Sequence, residues 1–201
     1  MDNNKKDFKF DKMASSYDDG YAGKFSQKLY HMLLSRLDLK PRQRVLDAGC
    51  GTGNLLRKMA DSQEIQGYGI DVEQKMIDIA KNKCPEMSIQ RASCDKTPFD
   101  DGTFDVLVSC MAYHHFPDKA GFVKEAARIL KVGGYLYILD PHFPFLVRKT
   151  INGLARLFRV AGGFSTPQEV TDGFRMTGFE SADIYCDGLN AGIGFTKGQT
   201  Q

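Results

Sequence analysis

The residues best suited to chemistry in this chain are two aspartates that flank a run of glycines. Asp47 comes just before a loop that reads Gly49-x-Gly51-x-Gly53, and Asp71 follows about twenty residues later. Glycine lets the backbone of such a loop close on a ligand and adopt a positive φ. Asp71 is placed to accept hydrogen bonds from both hydroxyls of a ribose, or to cap the next helix, and one residue can do both. The pattern therefore predicts a nucleotide site.

The spacing of the glycines distinguishes between kinds of nucleotide. Dinucleotide-binding loops read G-x-G-x-x-G/A, whereas Asn54 stands here where the third small residue belongs. The carboxylate of Asp47, at the end of the strand before the loop, would also repel a pyrophosphate. A ligand without phosphate but with an ammonium group fits this loop better, which disfavours a nicotinamide-dependent oxidoreductase.

Apolar periodicity predicts the elements that position these side chains. Val45 and Leu46 read as a buried strand, and apolar residues resume at helical spacing after the glycines. Further strands are predicted at residues 66–71, 87–92, 104–109, 135–140, 180–186 and 191–196, the last two as a hairpin. Helices fall between the first five strands, and the helix after the fourth is expected to end at Gly133-Gly134. Such a sheet binds its ligand at the carboxyl ends of the strands.

Several stretches resemble the motifs of one enzyme family. The run Val45-Leu46-Asp47-Ala48-Gly49-Cys50-Gly51-Thr52-Gly53 resembles motif I of the class I S-adenosylmethionine (SAM)-dependent methyltransferases. Other stretches resemble small-molecule members of that family: the lead-in at residues 10–18, the segments at 92–105 and 114–118, and the run ARILKVGGYLYILD at 127–140. The resemblance therefore spans residues 10–140, with a looser match through the final hairpin.

The resemblance implies a fold. It predicts an α/β domain with a seven-stranded, doubly wound and mostly parallel sheet, an antiparallel last strand and helices on both faces. A single domain would span residues 1–201, with an N-terminal cap segment at 1–40 and a variable lid or insertion at 141–165.

The resemblance also implies SAM as the cofactor and S-adenosylhomocysteine as its product. Asp71 would then accept the ribose hydroxyls, and the thioether of Met76 would lie against the adenine face. Tyr17 would cap the methionine carboxylate or face the sulfonium, although Phe10, Met13 and Tyr17 also have the spacing of an apolar stripe that packs on the core. The cofactor-binding positions implied are Tyr17, Asp47, Gly49, Cys50, Gly51, Asp71, Val72, Met76, Ser93, Cys94, Asp95 and Cys110.

The segment that would hold the adenine edge departs from the family pattern. Counted back from Pro98-Phe99, Ser93 occupies the position of the usual aspartate, and Asp95 comes two residues later. In the family, a side-chain acceptor holds N6 of the adenine and a backbone N–H holds N1. Ser93, the backbone of Cys94 and Asp95 are all candidates for these contacts.

Two adjacent histidines, His114 and His115, follow the fourth strand at the mouth of the crevice. By resemblance, the chain moves the sulfonium methyl to a nucleophile by in-line displacement. The apolar stretch at residues 143–163 leads us to expect a small, apolar or ring-containing acceptor. A histidine, with an unperturbed pKa of about 6.5, would act as the base if the acceptor must lose a proton. One alternative is that both histidines are solvated loop residues. Another is that the domain is a non-catalytic SAM-fold module that acts through a protein partner.

Residues 141–165 match no pattern of the family and contain an amphipathic helix. Its apolar stripe is Val147, Ile151, Leu154, Phe158 and Ala161, and its polar face is Lys149, Asn152, Arg156 and Arg159. Such a helix can lie on a membrane, cover a site or dock on the sheet. We therefore weigh two hypotheses: Ile151, Leu154 and Phe158 line an acceptor pocket, or they are buried against the sheet.

The composition restricts the partners and the location. A formal net charge of +2 gives no electrostatic reason to expect nucleic-acid binding. The five cysteines include no C-x-x-C pair, so we expect free thiols in a reducing compartment and no metal site. No run resembles a secretory leader or is long enough to span a bilayer, so we expect a cytoplasmic protein without stable membrane insertion. A small-molecule acceptor is the expected partner, and the oligomeric state stays open.

Overall fold

The computed structural model describes residues 18–158 and 162–198 of the chain, and these form seven strands and six α-helices. The strands are β1 (Arg44–Ala48), β2 (Gln66–Asp71), β3 (Ser88–Arg91), β4 (Phe104–Cys110), β5 (Leu130–Pro141), β6 (Phe179–Asp187) and β7 (Asn190–Lys197). The helices are α1 (Tyr21–Leu34), α2 (Asn54–Ser62), α3 (Gln74–Lys83), α4 (Lys119–Ile129), α5 (Phe145–Leu157) and α6 (Pro167–Arg175). A short 3₁₀ turn, Tyr113–His115, follows β4.

Within the described residues, the seven strands form one sheet in the order β3-β2-β1-β4-β5-β7-β6. The first five strands pair in parallel, and β7 lies antiparallel between β5 and β6. The predicted fold, including the antiparallel last strand, is confirmed, but no helix lies between β3 and β4, where the sequence predicts one. The strand order reverses at the neighbouring pair β1 and β4, and such a switch point opens a crevice at the carboxyl ends of both strands.

Two layers of helices cover the sheet because successive strand residues point to opposite faces. Val45 packs in the core beneath α1, α2 and α3, whereas its neighbour Leu46 packs in the core beneath α4 and α6. The amphipathic helix α1 contributes Leu29 and Leu33, both fully buried, to the first core. The buried strands β1 and β4 therefore hold the crevice between two packed layers.

The junction between α4 and β5 differs from the prediction. The helix ends at Ile129 rather than at Gly133-Gly134, and β5 begins at Leu130, which pairs with Phe104. The side chain of Leu130 is fully buried in the core, and its backbone pairs with β4, so the chain is already a strand before the two glycines. The pairing of β4 with β5 then shifts register between Phe104 and Val106, which accommodates the extra residues before Tyr135.

Helix α6 begins as its sequence predicts. The Thr166 side chain accepts a hydrogen bond from the backbone N–H of Glu169, and the Glu169 side chain accepts one from the N–H of Thr166. Pro167 occupies the first helical position, where its missing N–H costs nothing. The helix packs Val170 and Phe174 into the core, so this capping box fixes the return of the chain after α5.

No helix among the described residues is long and apolar enough to cross a membrane.

Candidate functional site

The glycine loop turns back over the end of β2 as it leaves β1. The backbone N–H groups of Gly49 and Cys50 both donate to the carbonyl of Ile70, at 2.9 Å. Gly49, Gly51 and Gly53 have φ values of 82°, 51° and 80°, in the left-handed region that favours glycine. The prediction that this loop requires positive φ is therefore confirmed.

The three glycines leave room for different neighbours. A Cβ on Gly49 would lie 2.4 Å from the Cβ of Ala112, and one on Gly53 would lie 3.1 Å from that of Ala80. A Cβ on Gly51 would meet nothing within 4 Å among the described atoms. Gly49 and Gly53 are therefore needed for packing of the chain on itself, whereas Gly51 faces open space at the crevice.

Asp47 lies beneath this loop with its carboxylate buried. Its exposed fraction is 2%, and within the described residues it forms no hydrogen bond through its side chain. Burial, and then the negative charge of Asp71, raise the pKa of Asp47 to about 8. A buried carboxyl without a donor is costly, and a cation placed beside it would remove that cost. The site thus presents an acid that is suited to an ammonium group.

Asp71, at the end of β2, holds the glycine loop from the other side. One carboxylate oxygen accepts the N–H of Gly51 at 3.0 Å, and the other accepts the N–H of Glu73 at 2.9 Å. Each oxygen keeps a second lone pair that can accept a hydroxyl. Burial raises the pKa of Asp71, although these backbone donors oppose the shift. The residue both caps the turn into α3 and faces the loop, so the two predicted roles are compatible.

The other predicted cofactor-binding residues surround the same loop. Met76 lies in the first turn of α3 and is buried, whereas Val72 is half exposed between Asp71 and that helix. The hydroxyl of Ser93 donates to the carboxylate of Asp95, so these two candidates for the adenine edge form one unit. Burial raises the pKa values of three thiols near the loop, which keeps them neutral at pH 7; these are Cys50, Cys94 and Cys110.

The two predicted catalytic histidines have different environments. His114 is only 8% exposed, and its Nδ1 lies 2.9 Å from the Oδ1 of Asp140 at the end of β5. The ring of Phe164 stacks on His114 with 4.6 Å between centroids and an interplanar angle of 14°. His115 is exposed. His114 is therefore the histidine that the structure holds in a fixed orientation.

The segment after α5 returns over the histidine turn. The N–H of Gly163 donates to the carbonyl of His114 at 2.7 Å. Lys119 donates through its Nζ to the carbonyl of Gly163 and to the hydroxyl of Ser165, the latter at 2.8 Å. These contacts keep Phe164 against the imidazole. Neither Phe164 nor Asp140 was among the predicted site residues, because both are distant from the histidines in the sequence.

Asp18 is a further residue that the sequence did not assign to the site. Its Oδ1 accepts hydrogen bonds from Thr52 at 2.6 Å and from Asn54 at 2.7 Å, and its Oδ2 lies 2.7 Å from the Nζ of Lys83. Burial alone would raise the pKa of Asp18, but the hydrogen bonds from Lys83, Thr52 and Asn54 outweigh it and lower the pKa. Asp18 thus anchors the N-terminal segment on the glycine loop. Tyr17, the preceding residue, lies outside the described residues, as do Phe10 and Met13.

A small cavity of about 20 Å³ adjoins Asp140. Apolar side chains form most of its wall, together with three polar residues. The lining residues are Tyr113, Ile138, Asp140, Pro141, His142, Ser165, Pro167, Val170, Ala191 and Ile193.

The apolar stripe of helix α5 is not buried against the sheet. None of its residues is buried, and Leu154 and Phe158 are 50% and 72% exposed, so the hypothesis of burial against the sheet is wrong. The cavity beside Asp140 is lined by other residues, and the hypothesis that Ile151, Leu154 and Phe158 line an acceptor pocket stays a prediction. Arg159 and Ala161 lie outside the described residues.

Comparisons with known proteins agree with this arrangement. Residues 46–138 match the family model described as a methyltransferase domain. A demethylmenaquinone methyltransferase from Chlorobaculum tepidum is 34% identical over 109 residues, which cover 54% of this chain and 45% of that protein. A 27-O-demethylrifamycin SV methyltransferase from Amycolatopsis mediterranei is 29% identical over 119 residues, with coverages of 56% and 44%. The matched part is thus less than half of either relative.

The fold is shared with solved structures. A methyltransferase in complex with the Haloferax volcanii Trm112 methyltransferase activator matches 95% of this chain and 98% of its own, with a TM-score of 0.84 and 20% identity. An open α/β sheet with a glycine loop between two acids at its switch point is a Rossmann-like, nucleotide-binding domain. Residues 46–138, which are 93 of the 201 residues, thus match a methyltransferase domain, and the chain shares the fold of solved methyltransferases. SAM is the cofactor that this similarity implies.

The residues present fit SAM on three observations. The buried carboxyl of Asp47 has no donor within the described residues, which suits the ammonium of the methionine part. Gly51 leaves open space where a side chain would intrude on a bound ligand. Asp71 keeps acceptor capacity for ribose hydroxyls beside the same loop.

Proposed function

We propose that this protein is an enzyme that transfers a methyl group from SAM to a small, apolar or ring-containing acceptor. The observation that carries the proposal is the convergence of Asp47, Gly51 and Asp71 on one crevice, next to the His114–Asp140 pair and an apolar cavity. Cofactor site, base and acceptor space then follow one another along the carboxyl edge of the sheet, as a transfer between two bound molecules requires.

In this proposal, each end of the cofactor has its own residues. Asp47 binds the ammonium, the loop at Gly49, Cys50 and Gly51 lies along the methionine part, and Asp71 accepts the ribose hydroxyls. Met76 covers one face of the adenine. The adenine edge is held by the unit of Ser93 and Asp95 with the backbone of Cys94, while Val72 and Cys110 complete the wall. Asp18 holds the glycine loop by accepting hydrogen bonds from Thr52 and Asn54.

His114 is the base in this proposal. When bound, SAM supplies a methyl group that its sulfonium already activates, so the chain must mainly align the acceptor and exclude water. In the neutral tautomer whose Nδ1–H donates to Asp140, the Nε2 of His114 keeps a lone pair that can take a proton from the acceptor. Phe164 stacks on the face of the ring and Asp140 contacts its Nδ1, so the orientation of the ring is fixed. His115 is the weaker candidate because it is exposed.

The acceptor class is proposed from the side chains around the cavity beside Asp140, whose volume of about 20 Å³ holds about one water molecule and must widen to admit an acceptor. Tyr113, Ile138, Val170 and Ile193 offer apolar contact, and Asp140 offers an acceptor for one polar group. The relatives from Chlorobaculum tepidum and Amycolatopsis mediterranei are named for demethylmenaquinone and for 27-O-demethylrifamycin SV, both ring-containing molecules. Another relative, from Arabidopsis thaliana, is named phosphoethanolamine N-methyltransferase 3, so the names of the relatives do not select one acceptor class for this chain.

The alternative function is a non-catalytic SAM-fold module that acts through a protein partner. One solved structure of the same fold is a complex with a methyltransferase activator. The alternative predicts SAM binding without turnover on any acceptor. The fixed His114–Asp140 pair favours catalysis, because a binding module has no use for an oriented base.

A screen for turnover tests the proposal. The protein is incubated with SAM and a panel of phenols, quinols and polar amines, and release of S-adenosylhomocysteine is measured. We expect release with a ring-containing, largely apolar acceptor, and loss of that release in His114→Ala. Binding of S-adenosylhomocysteine with no release across such a panel would favour the non-catalytic alternative. Release only with small polar amines would contradict the proposed acceptor class.

A further inference from the structure

Helix α5 is amphipathic, but its apolar side faces outward. Its exposed apolar residues include Leu146, Leu157 and Phe158, which are 74%, 73% and 72% exposed. Val147 and Leu154 are exposed on the same side. We call these five residues the outward stripe. A globular protein normally turns such a stripe toward its core, so this orientation needs a reason.

Polar contacts hold the opposite side of α5 to the body of the protein. The Nη1 of Arg148 donates to both carboxylate oxygens of Glu169, at 3.1 and 3.0 Å. Asn152 exchanges two hydrogen bonds with the backbone of Phe164, each 2.9 Å long. Leu146 and Leu154 lie two residues from these anchors, and so about 200° round the helix axis. The polar anchors therefore hold the stripe outward.

The charges on α5 are all of one sign. Its sequence, FLVRKTINGLARL, contains three basic residues and no acidic residue. Arg148 is paired with Glu169, whereas Lys149 and Arg156 form no ion pair within the described residues. These two cations lie together along one edge of the outward stripe, about 60–80° round the helix axis from Leu146. An outward apolar stripe with unpaired basic residues beside it is the pattern of a helix that lies in the surface of an anionic bilayer.

We propose that the outward stripe of α5 docks this protein on the surface of lipid bilayers that contain anionic lipids. The apolar side chains enter the region between headgroups and acyl chains, while Lys149 and Arg156 contact lipid phosphates. A second copy of the chain fits less well, because a two-fold contact would place helices that carry only positive charge against each other. The helix is also joined through Asn152 to Phe164, which stacks on His114, so docking would place the site close to the bilayer.

The test is co-sedimentation of the full-length protein with lipid vesicles, without SAM or acceptor. One set of vesicles is phosphatidylcholine alone, and the other adds phosphatidylglycerol. We expect binding to the anionic vesicles that weakens with added salt. The stripe variant Leu146→Ser/Leu157→Ser and the charge variant Lys149→Gln/Arg156→Gln should each bind at least about tenfold more weakly. Because these side chains are exposed, the melting temperature should stay within about two degrees of wild type.

A matched control uses exposed apolar residues elsewhere. Ile184 and Leu189 lie in the β6–β7 hairpin and are exposed to a similar extent as Leu154. Ile184→Ser/Leu189→Ser should therefore leave vesicle binding unchanged. Absence of wild-type binding to anionic vesicles, or equal loss in the control, would overturn the proposal. So would a wild-type dimer in sedimentation velocity that the stripe variant converts to a monomer. The outcome does not depend on methyl transfer, since S-adenosylhomocysteine binding is measured separately.

Discussion

The imidazole of His114 lies 2.9 Å from the carboxylate of Asp140, which joins the turn after β4 to the end of β5. Both residues are at the carboxyl edge of the sheet: His114 follows β4, the strand next to β1, and Asp140 ends β5, one strand further from the glycine loop. Phe164 stacks on the same ring. The pair thus gives the crevice an oriented base. Neither a histidine nor an aspartate alone would predict such a base from the sequence.

Removal of this base should separate catalysis from cofactor binding. We expect His114→Ala to lower kcat by about a hundredfold or more, because a positioned general base contributes about 10²–10⁴-fold. Asp140→Asn should lower kcat less and shift the pH–rate profile, since it disturbs the orientation and tautomer of the ring. S-adenosylhomocysteine affinity should be unchanged in both. The same change at His115 should have a small effect. Loss of activity in His115→Ala with activity retained in His114→Ala would reverse the assignment.

Binding of the cofactor should release a proton from Asp47. Burial and the charge of Asp71 raise the pKa of Asp47 to about 8, so this carboxyl is largely protonated at pH 7 in the unliganded protein. An ammonium beside it favours the charged form and lowers that pKa on binding. Calorimetric titration with S-adenosylhomocysteine at pH 7 should therefore give an apparent enthalpy that depends on the ionisation enthalpy of the buffer.

The same linkage predicts how stability depends on pH. Because the folded-state pKa of Asp47 is above its unfolded value, the stability that its proton provides is present at low pH. It is lost as the pH rises from about 4 towards 8. Asp47→Asn should lack the buffer dependence and bind the ligand more weakly, and its melting temperature relative to wild type should increase as the pH rises. Equal enthalpies in all buffers for the wild type would exclude this protonation change.

A methyl group at Gly51 should block the cofactor without unfolding the protein. Gly51 has a φ of 51° and open space around its missing Cβ. Gly102 offers a matched control, with a φ of 58° and equally open surroundings, in an exposed turn before β4. Gly51→Ala and Gly102→Ala should each cost about 1–2 kcal/mol of stability from the left-handed backbone. Only Gly51→Ala should lose S-adenosylhomocysteine binding. Equal affinities in the two variants would mean that the loop does not contact the cofactor.

The hydrogen bonds of Asp18 should contribute more to the free energy of unfolding than an exposed ion pair does. Asp18 accepts hydrogen bonds from Thr52, Asn54 and Lys83. Asp18→Asn should reduce stability by about 1–3 kcal/mol and weaken S-adenosylhomocysteine binding, because the donors beneath the glycine loop lose a charged partner. As a control, Asp187→Asn breaks the exposed pair with Lys28 and should cost less than about 1 kcal/mol. Similar unfolding free energies for both variants would contradict the anchoring role.

Local patterns in the sequence were sufficient for much of the fold and for half of the site. The apolar strand, the alternate glycines and Asp71 follow one another within a single supersecondary unit, and the capping box of Thr166 and Glu169 is local too. The contacts that the sequence did not reveal are between distant residues. Asp140 lies 26 residues from His114, and Asp18 lies 65 residues from Lys83. No spacing rule connects such pairs before the fold is known.

Helix α5 shows a different limit of sequence patterns. Its periodicity indicates correctly which side chains share a face, including Leu154 and Phe158. Periodicity does not indicate which face turns inward. Here the contacts of Arg148 and Asn152 decide the orientation, and both depend on residues that follow the helix in the chain.

The most direct test of the central claim is calorimetric titration of the full-length protein with S-adenosylhomocysteine, with NAD as the control ligand. We expect saturable binding of one S-adenosylhomocysteine per chain and no heat with NAD. Asp71→Ala should weaken that binding by about 2–4 kcal/mol, because it removes a charged acceptor for two hydroxyls whose contributions do not add fully. Absence of S-adenosylhomocysteine binding by the wild type, or an affinity within twofold of wild type in Asp71→Ala, would contradict the cofactor site described for this crevice.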